Sequence, residues 1–331
     1  MMSEIIPSIL TTHSTQSSNL FKHKVSQDFD EQASFLHGWN QDYTQVSAGG
    51  FNGFISEIHL DEMSLFWEYT SQNLYQHGCL DSDTIAIGVP LNSIDNAMFC
   101  GASCELNSLH IYSGKDGFEF LSPQNLLIGL IVINRHKLMH TLSASDQYFL
   151  NLQLKQAAIS KISCQAYINL VTFLKSTLQT LQKQPELAIN KHYTDEISAT
   201  AMQLVIDSLL NKQQDQDHMS LHKSWKVFAD TREIINTRLD DPISVAELCA
   251  TLNISRRSLQ YHFEQAINST PVAYLRAERL NGVRRMLATA NSVTDAATYW
   301  GFWHFGHFSH EYKKMFGELP SDTFKRLHTP S

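Results

Sequence analysis

Between about residues 40 and 133, hydrophobic positions fall in short stretches that are separated by residues typical of turns. The segment 51–60 alternates apolar and polar residues, whereas the segments 84–91 and 126–133 are short apolar runs. Runs of this kind, bounded by sequences such as AGG, SGKDG and SPQN, are typical of β-strands. Several short strands at this spacing predict a β-sandwich or barrel.

After residue 143 the pattern becomes helical, with apolar positions at about every third or fourth residue. This stretch predicts one long helix or two consecutive helices. A further helix is predicted to start with Thr194 as its cap and to end near residue 210. Packing of these helices on the sheet and dimerisation explain their apolar faces equally well, so the sequence leaves a homodimer open.

The C-terminal third contains one short helical pattern twice. In the first copy, Ser255 supplies a cap oxygen for a helix in which Leu259 and Phe263 share one face. Arg257 and Tyr261 point away from that face. Two short helices joined by a tight turn, with a polar face on the second, predict a helix-turn-helix unit.

The second copy occupies residues 292–317, where Gly301 permits the turn and Phe308 and Tyr312 anchor the second helix. Between the copies, Pro271 fits the start of a helix of about 18 residues, which would span roughly 27 Å. The two recognition helices would then lie about one DNA turn, on the order of 34 Å, apart. We therefore expect them to enter successive major grooves on one face of a duplex.

This region resembles the DNA-binding domain of the AraC/XylS family of transcription regulators, over about the last 100 of the 331 residues. The resemblance rests on the order of Leu248, Ile254, Ser255, Leu259, Phe263, Pro271, Tyr274, Leu275, Arg279, Leu280, Gly301, Phe302, Phe308, Tyr312, Phe316, Gly317 and Pro320. Within the family, RRSLQYHF, RLNGVRR and WGFWHFGHF look most like the ethanolamine operon regulator group, as does GWNQDYTQVSAGGFNGFISEI in the N-terminal half.

The sequence departs from the family pattern at two places. Leu319 stands where Ser usually precedes the Pro, and Trp303 and His304 stand where small polar residues are common. The second unit is therefore expected to read bases with fewer long hydrogen-bond donors than usual.

The resemblance implies an α+β protein with a β-rich, jelly-roll-like sensor domain and an all-α domain in which a long helix joins two helix-turn-helix units. It also implies activation of transcription, with double-stranded promoter DNA, RNA polymerase and a small-molecule effector as partners. The expected organisation is a mostly disordered tail (1–27), an effector-sensing domain (28–210) that starts with a short helix and for which dimerisation is left open, a polar linker (211–220) and the DNA-binding domain (221–331).

Charge is divided unevenly along the chain. Residues 1–224 contain 12 Lys and Arg against 22 Asp and Glu, a net charge of -10, whereas residues 225–331 contain 13 against 11, a net charge of +2. Arg135 is the only arginine in the first part, and nine follow in the second. Because the guanidinium group suits forked contacts with phosphate and guanine, this division favours a C-terminal nucleic-acid contact.

Other features indicate the compartment. The five cysteines show no repeated spacing, so we expect no disulfide framework. The N-terminal residues lack the basic cluster of a signal peptide, and the apolar run 126–133 is far shorter than the roughly 20 residues that a membrane span requires. We expect a cytoplasmic protein without a membrane partner.

Two groups of residues are expected to contact DNA. Base readout is assigned to outward residues of the two recognition helices, some also matching family reading positions: Arg257, Gln260, Tyr261, Phe305, Ser309 and His310. Phosphate contacts are assigned to the basic residues Arg256, Arg276, Arg279, Arg284, Arg285, Lys313 and Lys314.

The effector is less defined by the sequence. A cationic effector such as an amine would suit an acidic pocket lined by aromatic residues, and this hypothesis names Trp39, Tyr43, Trp67, Glu68 and Tyr69. Packing in the core is the favoured explanation of the same residues.

The sequence offers little for catalysis. His304, His307 and His310 recur every three residues, but the second recognition helix explains them without a metal. We see no Ser-His-Asp or Cys-His order, and AGGFNG lacks the strand and helix that flank a phosphate loop. We therefore expect no enzyme activity, metal or cofactor. The alternative is a metabolite-binding or enzymatic β-barrel whose helical tail serves for assembly, which predicts no salt-sensitive binding to DNA.

Overall fold

The computed structural model describes residues 20–36, 38–61, 63–113, 117–210, 219–238 and 243–328. The strands are β1 (Phe21–Ser26), β2 (Trp39–Gln45), β3 (Gly53–His59), β4 (Met63–Thr70), β5 (Leu74–Leu80), β6 (Thr84–Pro90), β7 (Met98–Phe99), β8 (Ala102–Ser103), β9 (Ser108–Tyr112), β10 (Phe118–Leu121), β11 (Leu126–Asn134) and β12 (Ala158–Lys161). They form a seven-stranded sheet in the order β1-β3-β4-β11-β6-β9-β12 and a five-stranded sheet in the order β2-β5-β10-β7-β8.

Apolar side chains of the two sheets meet in one buried core. Ile55 and Phe66 belong to the seven-stranded sheet, whereas Phe99 and Phe120 belong to the five-stranded sheet, and all four lie in the same cluster. Burial of one face of each sheet against the other defines a sandwich. The predicted β-sandwich, and with it the α+β class, is confirmed.

Helices cover the outer face of the seven-stranded sheet. The N-terminal part contains α1 (Phe29–Ser34), α2 (Arg135–His140), α3 (Ala144–Gln153), α4 (Cys164–Lys183), a 3-10 turn (Pro185–Ile189) and α5 (Lys191–Leu210). Leu65 and Trp67 of β4 pack with Leu174 of α4, and Trp67 Nε1 donates a 3.0 Å hydrogen bond to the Leu174 carbonyl. Gly129 permits this close approach, since a Cβ there would lie 2.8 Å from Leu174 Cδ1.

Three expectations for this part are wrong in detail. Residues 21–26, assigned to a disordered tail, form β1 and pair with β3, while residues 1–19 lie outside the described ranges. The apolar stretch after residue 143 contains α3 and α4 but also β12, which pairs with β9. Helix α5 starts before Thr194, because Asn190 Oδ1 accepts the Tyr193 N–H as a cap and Thr194 Oγ1 donates to the Lys191 carbonyl.

The C-terminal part is helical, as expected. It contains α6 (Met219–Asn236), α7 (Val245–Thr251), α8 (Arg256–Ile267), α9 (Pro271–Met286), α10 (Val293–Tyr299), α11 (Phe305–Phe316) and α12 (Pro320–His328). Helix α9 joins the pair α7–α8 to the pair α10–α11, which confirms the predicted double helix-turn-helix arrangement. The expected linker falls largely on residues 211–218, outside the described ranges. None of the described helices is long and apolar enough to cross a membrane.

The two parts of the chain share hydrophobic cores. Tyr75 and Leu121 of the five-stranded sheet pack in one cluster with Trp225 and Phe228 of α6 and with the buried faces of α7 and α8. Phe29 of α1 packs in another cluster with α9, α10 and α11. The sensor part therefore contacts both helix-turn-helix units through buried side chains.

Candidate nucleic-acid interface

The first unit, α7 and α8, is defined by local caps and one buried face. Ser244 and Glu247 form a capping box at the start of α7, and Ser255 Oγ accepts the Ser258 N–H at the start of α8, as predicted. Asn253 adopts φ +51 in the turn between the helices. Leu259 is fully buried, so the opposite face of α8 is directed away from the core.

That opposite face carries the residues expected to read bases. Arg257 is exposed and the side chain of Tyr261 is 53% exposed. Gln260 is half-buried, and its Nε2 donates to Glu264 Oε1 at 2.7 Å. The sensor part therefore leaves Arg257 and Tyr261 accessible. Gln260, in contrast, would have to give up an existing hydrogen bond in order to contact a base.

The second unit, α10 and α11, is also held by its buried face. Phe308, Tyr312 and Phe316 of α11 are buried, and the Tyr312 hydroxyl donates to Thr323 Oγ1 of α12 at 3.0 Å. Gly301 takes φ +79 in the turn between α10 and α11. The helix pair is fixed to α9 at Gly282, where a Cβ would lie 2.3 Å from the Trp300 ring.

The outward arc of α11 differs chemically from that of α8. Phe305 and His310 are exposed and Ser309 is half-buried, so the expected reading positions of this unit also face outward. His307 Nδ1 lies 3.4 Å from Glu311 Oε2, a neighbour that the histidine spacing alone did not indicate. Within the described ranges, no group of three or more candidate metal ligands comes together.

Five of the residues expected to contact phosphate lie in positions compatible with that role. Arg256, Lys313 and Lys314 are exposed on the recognition helices. Arg276 forms an ion pair with Glu311 at 3.0 Å, and Arg279 Nη2 donates to the Ile243 carbonyl at 3.1 Å. The last two would contact phosphate only in addition to these bonds or in exchange for them.

Arg284 is used differently, and its assignment to DNA phosphate is corrected. The Arg284 side chain is 5% exposed, with Nη2 2.7 Å from Asp28 Oδ2 and Nη1 3.0 Å from Glu318 Oε1. Arg285 Nε lies 3.2 Å from Asp30 Oδ1. A buried guanidinium held by two carboxylates has no open side for a phosphate. Arg284 therefore binds the sensor part. Arg285 also contacts it, but its side chain is 40% exposed, so Arg285 would contact phosphate only in addition to the Asp30 pair or in exchange for it.

These ion pairs belong to a larger contact, which we call the α1 patch: Asp28, Phe29, Asp30, Gln45 and Gly49 of the sensor against Asn281, Arg284, Arg285, Met315 and Phe316. Asn281 Nδ2 donates to the Gln45 carbonyl at 2.8 Å, and its Oδ1 accepts the Gln45 N–H at 3.2 Å. The amide thus pairs with the edge of β2 as a strand would. The Met315 carbonyl accepts from Gly49 N at 3.0 Å and from Gln45 Nε2 at 2.7 Å.

A second contact, the α6 patch, joins Trp225, Phe228 and Arg232 of α6 to Tyr75 and Glu119 of the five-stranded sheet. Trp225 Nε1 donates to Glu119 Oε2 at 2.7 Å, and Arg232 Nη1 donates to the Tyr75 hydroxyl at 2.6 Å. The Arg232 guanidinium also lies 3.8 Å from the centre of the Tyr75 ring. The sequence places Trp225 and Arg232 on one face of a helix, but nothing in it identified the strand residues that they meet.

The structure brings together only part of the group proposed for an effector pocket: Tyr43 and Glu68 are in contact, whereas Trp67 and Tyr69 lie on the other face of the sheet. Trp67 and Tyr69 face the helical layer, whereas Glu68 faces the interior of the sandwich, where its Oε1 accepts from the Tyr43 hydroxyl at 2.8 Å. Burial raises the pKa of Glu68 despite hydrogen bonds from Gln32 and Tyr43. Trp39 packs among other aromatic side chains of that interior. Since consecutive strand residues point to opposite faces, the set could not line one pocket.

A large cavity instead lies between the two parts of the chain. It is an open cleft of about 1390 Å³, lined by residues of α1, β2, α9 and α12. Its walls carry opposite charges, including Glu31, Asp42 and Glu318 against Arg285 and Arg326. Of the five residues proposed for the effector, only Trp39 reaches this cleft.

Comparison with known proteins agrees with this architecture. The model of a helix-turn-helix domain family matches residues 248–326. The chain is 31% identical over 144 residues to the XylDLEGF operon transcriptional activator 2 of Pseudomonas putida, which covers 42% of this chain and 87% of that protein. It is 29% identical over 164 residues to XylDLEGF operon transcriptional activator 3 of the same organism, covering 48% of this chain and 47% of that one. The chain thus spans about half the length of the first curated relatives that it matches.

One solved structure is also similar to this chain in sequence. A probable AraC family transcriptional regulator from Rhodopseudomonas palustris is 31% identical, with 31% of this chain and 99% of that chain covered and a TM-score of 0.30. The 31% identity over 87% of the Pseudomonas putida relative, together with the matched helix-turn-helix region, shows a family relationship in sequence. The chain belongs to the AraC family of transcription regulators.

Proposed function

We propose that this chain is a regulator of transcription that binds double-stranded promoter DNA in a sequence-specific manner. The observation that carries the proposal is the exposure of both recognition helices on the faces opposite their buried cores. Arg257 and Tyr261 of α8 and Phe305 and His310 of α11 are accessible while the sensor part is in place. With 16 residues, α9 is about 24 Å long, which is compatible with two units that enter successive major grooves.

Within this proposal, the roles of the DNA contacts differ. Arg257 is the residue best suited to read a base, because its fork matches O6 and N7 of guanine. Gln260, Tyr261, Phe305, Ser309 and His310 complete the reading arcs. Arg256, Arg276, Arg279, Lys313 and Lys314 would contact phosphates, which sets affinity and register but not sequence preference.

The sensor part would regulate the two units through the α1 and α6 patches. A small-molecule effector would bind in the sandwich or in the interdomain cleft. If it binds more tightly to one arrangement of the two patches than to another, it shifts the population toward that arrangement. The two relatives compared above are named transcriptional activators. We propose activation here as well, with RNA polymerase as a partner. The finer likeness to the ethanolamine operon regulator group and a homodimer remain predictions.

The first test is salt-dependent binding to genomic fragments. The full chain should retain a small set of fragments, and the logarithm of its affinity should fall linearly with the logarithm of salt concentration. Replacing Lys313 or Arg256 by Ala should weaken binding to all sequences alike and reduce the salt slope by about one.

The matched control is Lys175→Ala on α4, which removes one positive charge far from both units. The alternative, a metabolite-binding or enzymatic β-barrel with a helical assembly tail, predicts no fragment selection and no salt dependence. That outcome would reject the proposed function.

A further inference from the structure

The second unit presents an unusual surface at the point where a recognition helix meets bases. Its residues 303–310 are WHFGHFSH, which contain no Arg, Lys, Asn or Gln. The first unit, by contrast, presents Arg256, Arg257 and Gln260 at the start of α8. The hydrogen-bonding side chains that most often distinguish base pairs in the major groove are therefore missing from residues 303–310, the start of the second recognition helix.

Exposed aromatic rings take their place. The Trp303 side chain is 70% exposed and that of Phe305 is 42% exposed. Trp39, Trp67 and Trp225, in contrast, are buried against other parts of the protein. Trp303 immediately precedes His304, the N-cap of α11. The start of a recognition helix is the part that contacts base edges in helix-turn-helix proteins.

Gly306 supports the same interpretation. It lies in the first turn of α11 without a positive φ, and a Cβ at this position would meet no atom within 4 Å. Neither backbone conformation nor packing thus requires glycine here, although glycine costs about 1 kcal/mol relative to alanine inside a helix. One use of such a glycine is to let the backbone approach a ligand closely. Gly306 directly follows Phe305, so its missing side chain leaves room for a small apolar group next to that residue.

The thymine methyl is the apolar group that the major groove presents. We infer that the second unit recognises thymine through its methyl group, by apolar contact with Trp303 and Phe305, and that Trp303 is a specificity residue in addition to those assigned to the reading arcs. The inference rests on the proposed function, since it specifies what the second unit reads. The expected half-site for α11 is rich in A·T pairs, whereas that for α8 contains a guanine.

The test replaces single thymines by deoxyuridine, which removes only the methyl group. The operator is the sequence that the full chain selects from random DNA. In the α11 half-site, substitution at one or two positions should weaken binding about fourfold, the fold-change that corresponds to about 0.8 kcal/mol for one buried methylene-sized group. Substitution in the α8 half-site should weaken binding less than twofold.

The variants Trp303→Ala and Phe305→Ala identify the side chains responsible. Each should bind the thymine operator more weakly, and each should reduce the fourfold difference between the thymine and deoxyuridine operators. Trp303 is largely exposed, so its truncation removes little buried surface. Tyr148→Ala is the matched control, because Tyr148 is 72% exposed on α3 and lies outside both units. This variant should keep the fourfold difference.

The outcomes separate the two proposals. If the full chain selects no DNA sequence, the proposed function fails and this inference fails with it. If the chain selects an operator but deoxyuridine changes its affinity nowhere in the α11 half-site, the methyl contact is overturned while the proposed function stands. If the parent discriminates and Trp303→Ala discriminates equally well, the assignment of Trp303 as a specificity residue is overturned, and the same result for Phe305→Ala overturns the contact with Phe305.

Discussion

Arg284 joins the sensor part to the second unit, so its removal should be measurable in the stability of the whole chain. Its guanidinium lies between Asp28 and Glu318 and within 5.3 Å of the Phe29 and Phe316 ring centres. Arg284→Met replaces the aliphatic stem of the arginine by an apolar side chain of similar length. The substitution removes the guanidinium, so both carboxylates lose this partner. Because the side chain is buried, the effect should exceed that of a surface ion pair.

The magnitude follows from the surroundings. Removing one partner of a fully buried ion pair costs about 3–5 kcal/mol, whereas exposed pairs contribute about 0–1 kcal/mol. Here the carboxylate side chains are 20% and 29% exposed, and Arg326 stays 2.9 Å from Glu318. Water and Arg326 therefore compensate in part, and we expect Arg284→Met to lower the free energy of unfolding by about 2 kcal/mol.

A double-mutant cycle isolates the pair. Asp28 is the N-cap of α1 and accepts from Asp30 N and Glu31 N. Asp28→Asn keeps a good cap and removes only the charge, so we expect a loss of about 1 kcal/mol. The double variant should be more stable than the sum of the single losses implies, by roughly 1 kcal/mol. Arg256→Met, on the exposed surface of α8, serves as the control and should change stability by less than about 0.5 kcal/mol.

The assay is urea denaturation of the full chain followed by tryptophan fluorescence, with DNA binding measured in parallel. Since Arg284 contacts carboxylates and not phosphate, Arg284→Met should leave the salt slope of DNA binding unchanged. Additive losses within about 0.3 kcal/mol would show that Arg284 and Asp28 do not interact. A salt slope reduced by about one would restore Arg284 as a phosphate contact and refute the reasoning.

The remaining predictions concern pH, packing and base readout. Burial lowers the pKa of His110 to about 3, so between that pH and about 6.5 the unfolded chain binds a proton that the folded chain does not. The free energy of unfolding, measured by urea denaturation, should therefore fall by about 2 kcal/mol from pH 7 to pH 5. His110→Gln should remove that loss, whereas the control His136→Gln, on the surface, should keep it. Gly282→Ala places a Cβ against the Trp300 ring and should cost about 1–3 kcal/mol in thermal unfolding, so an unchanged melting temperature would contradict the packing. Arg257→Ala should relax preference at one base of the α8 half-site about tenfold in a binding-site selection while nonspecific affinity stays nearly constant, and unchanged preferences at every position would remove Arg257 from base readout.

The sequence predicted the recognition helices well because their signals are local. The helical period placed Leu259 and Phe263 inside and Arg257 outside, and the cap at Ser255 fixed where α8 starts. The same local logic located Gly301 in the second turn. Base-reading positions follow from these features because they are the faces that a buried core leaves exposed.

The interdomain patches could not be predicted in this way. The positive residues of α9 form a polar arc whether it faces DNA, water or another domain, and only the fold brings Asp28 and Asp30 opposite Arg284 and Arg285. These pairs are separated by about 250 residues in the chain. A single sequence contains no signal for contacts over such distances.

The effector residues illustrate an error that the sequence itself could have prevented. Trp67, Glu68 and Tyr69 are consecutive, and the strand prediction for this region already required adjacent side chains to face opposite sides. Three consecutive side chains of a strand lie on two opposite faces and therefore cannot line one pocket. Strand β12, in contrast, was not predictable, since four residues between two helical patterns give no distinct period.

The most direct test of the central claim, that one chain reads two successive major grooves through α8 and α11, is the affinity of the full chain for operators of different half-site spacing. Insertion of about five base pairs, half a helical turn, between the half-sites places them on opposite faces of the duplex. Because α9 holds the two units at a fixed separation, we predict that binding to the altered operator falls to the affinity for a single half-site. Unchanged affinity for the altered operator would contradict the account.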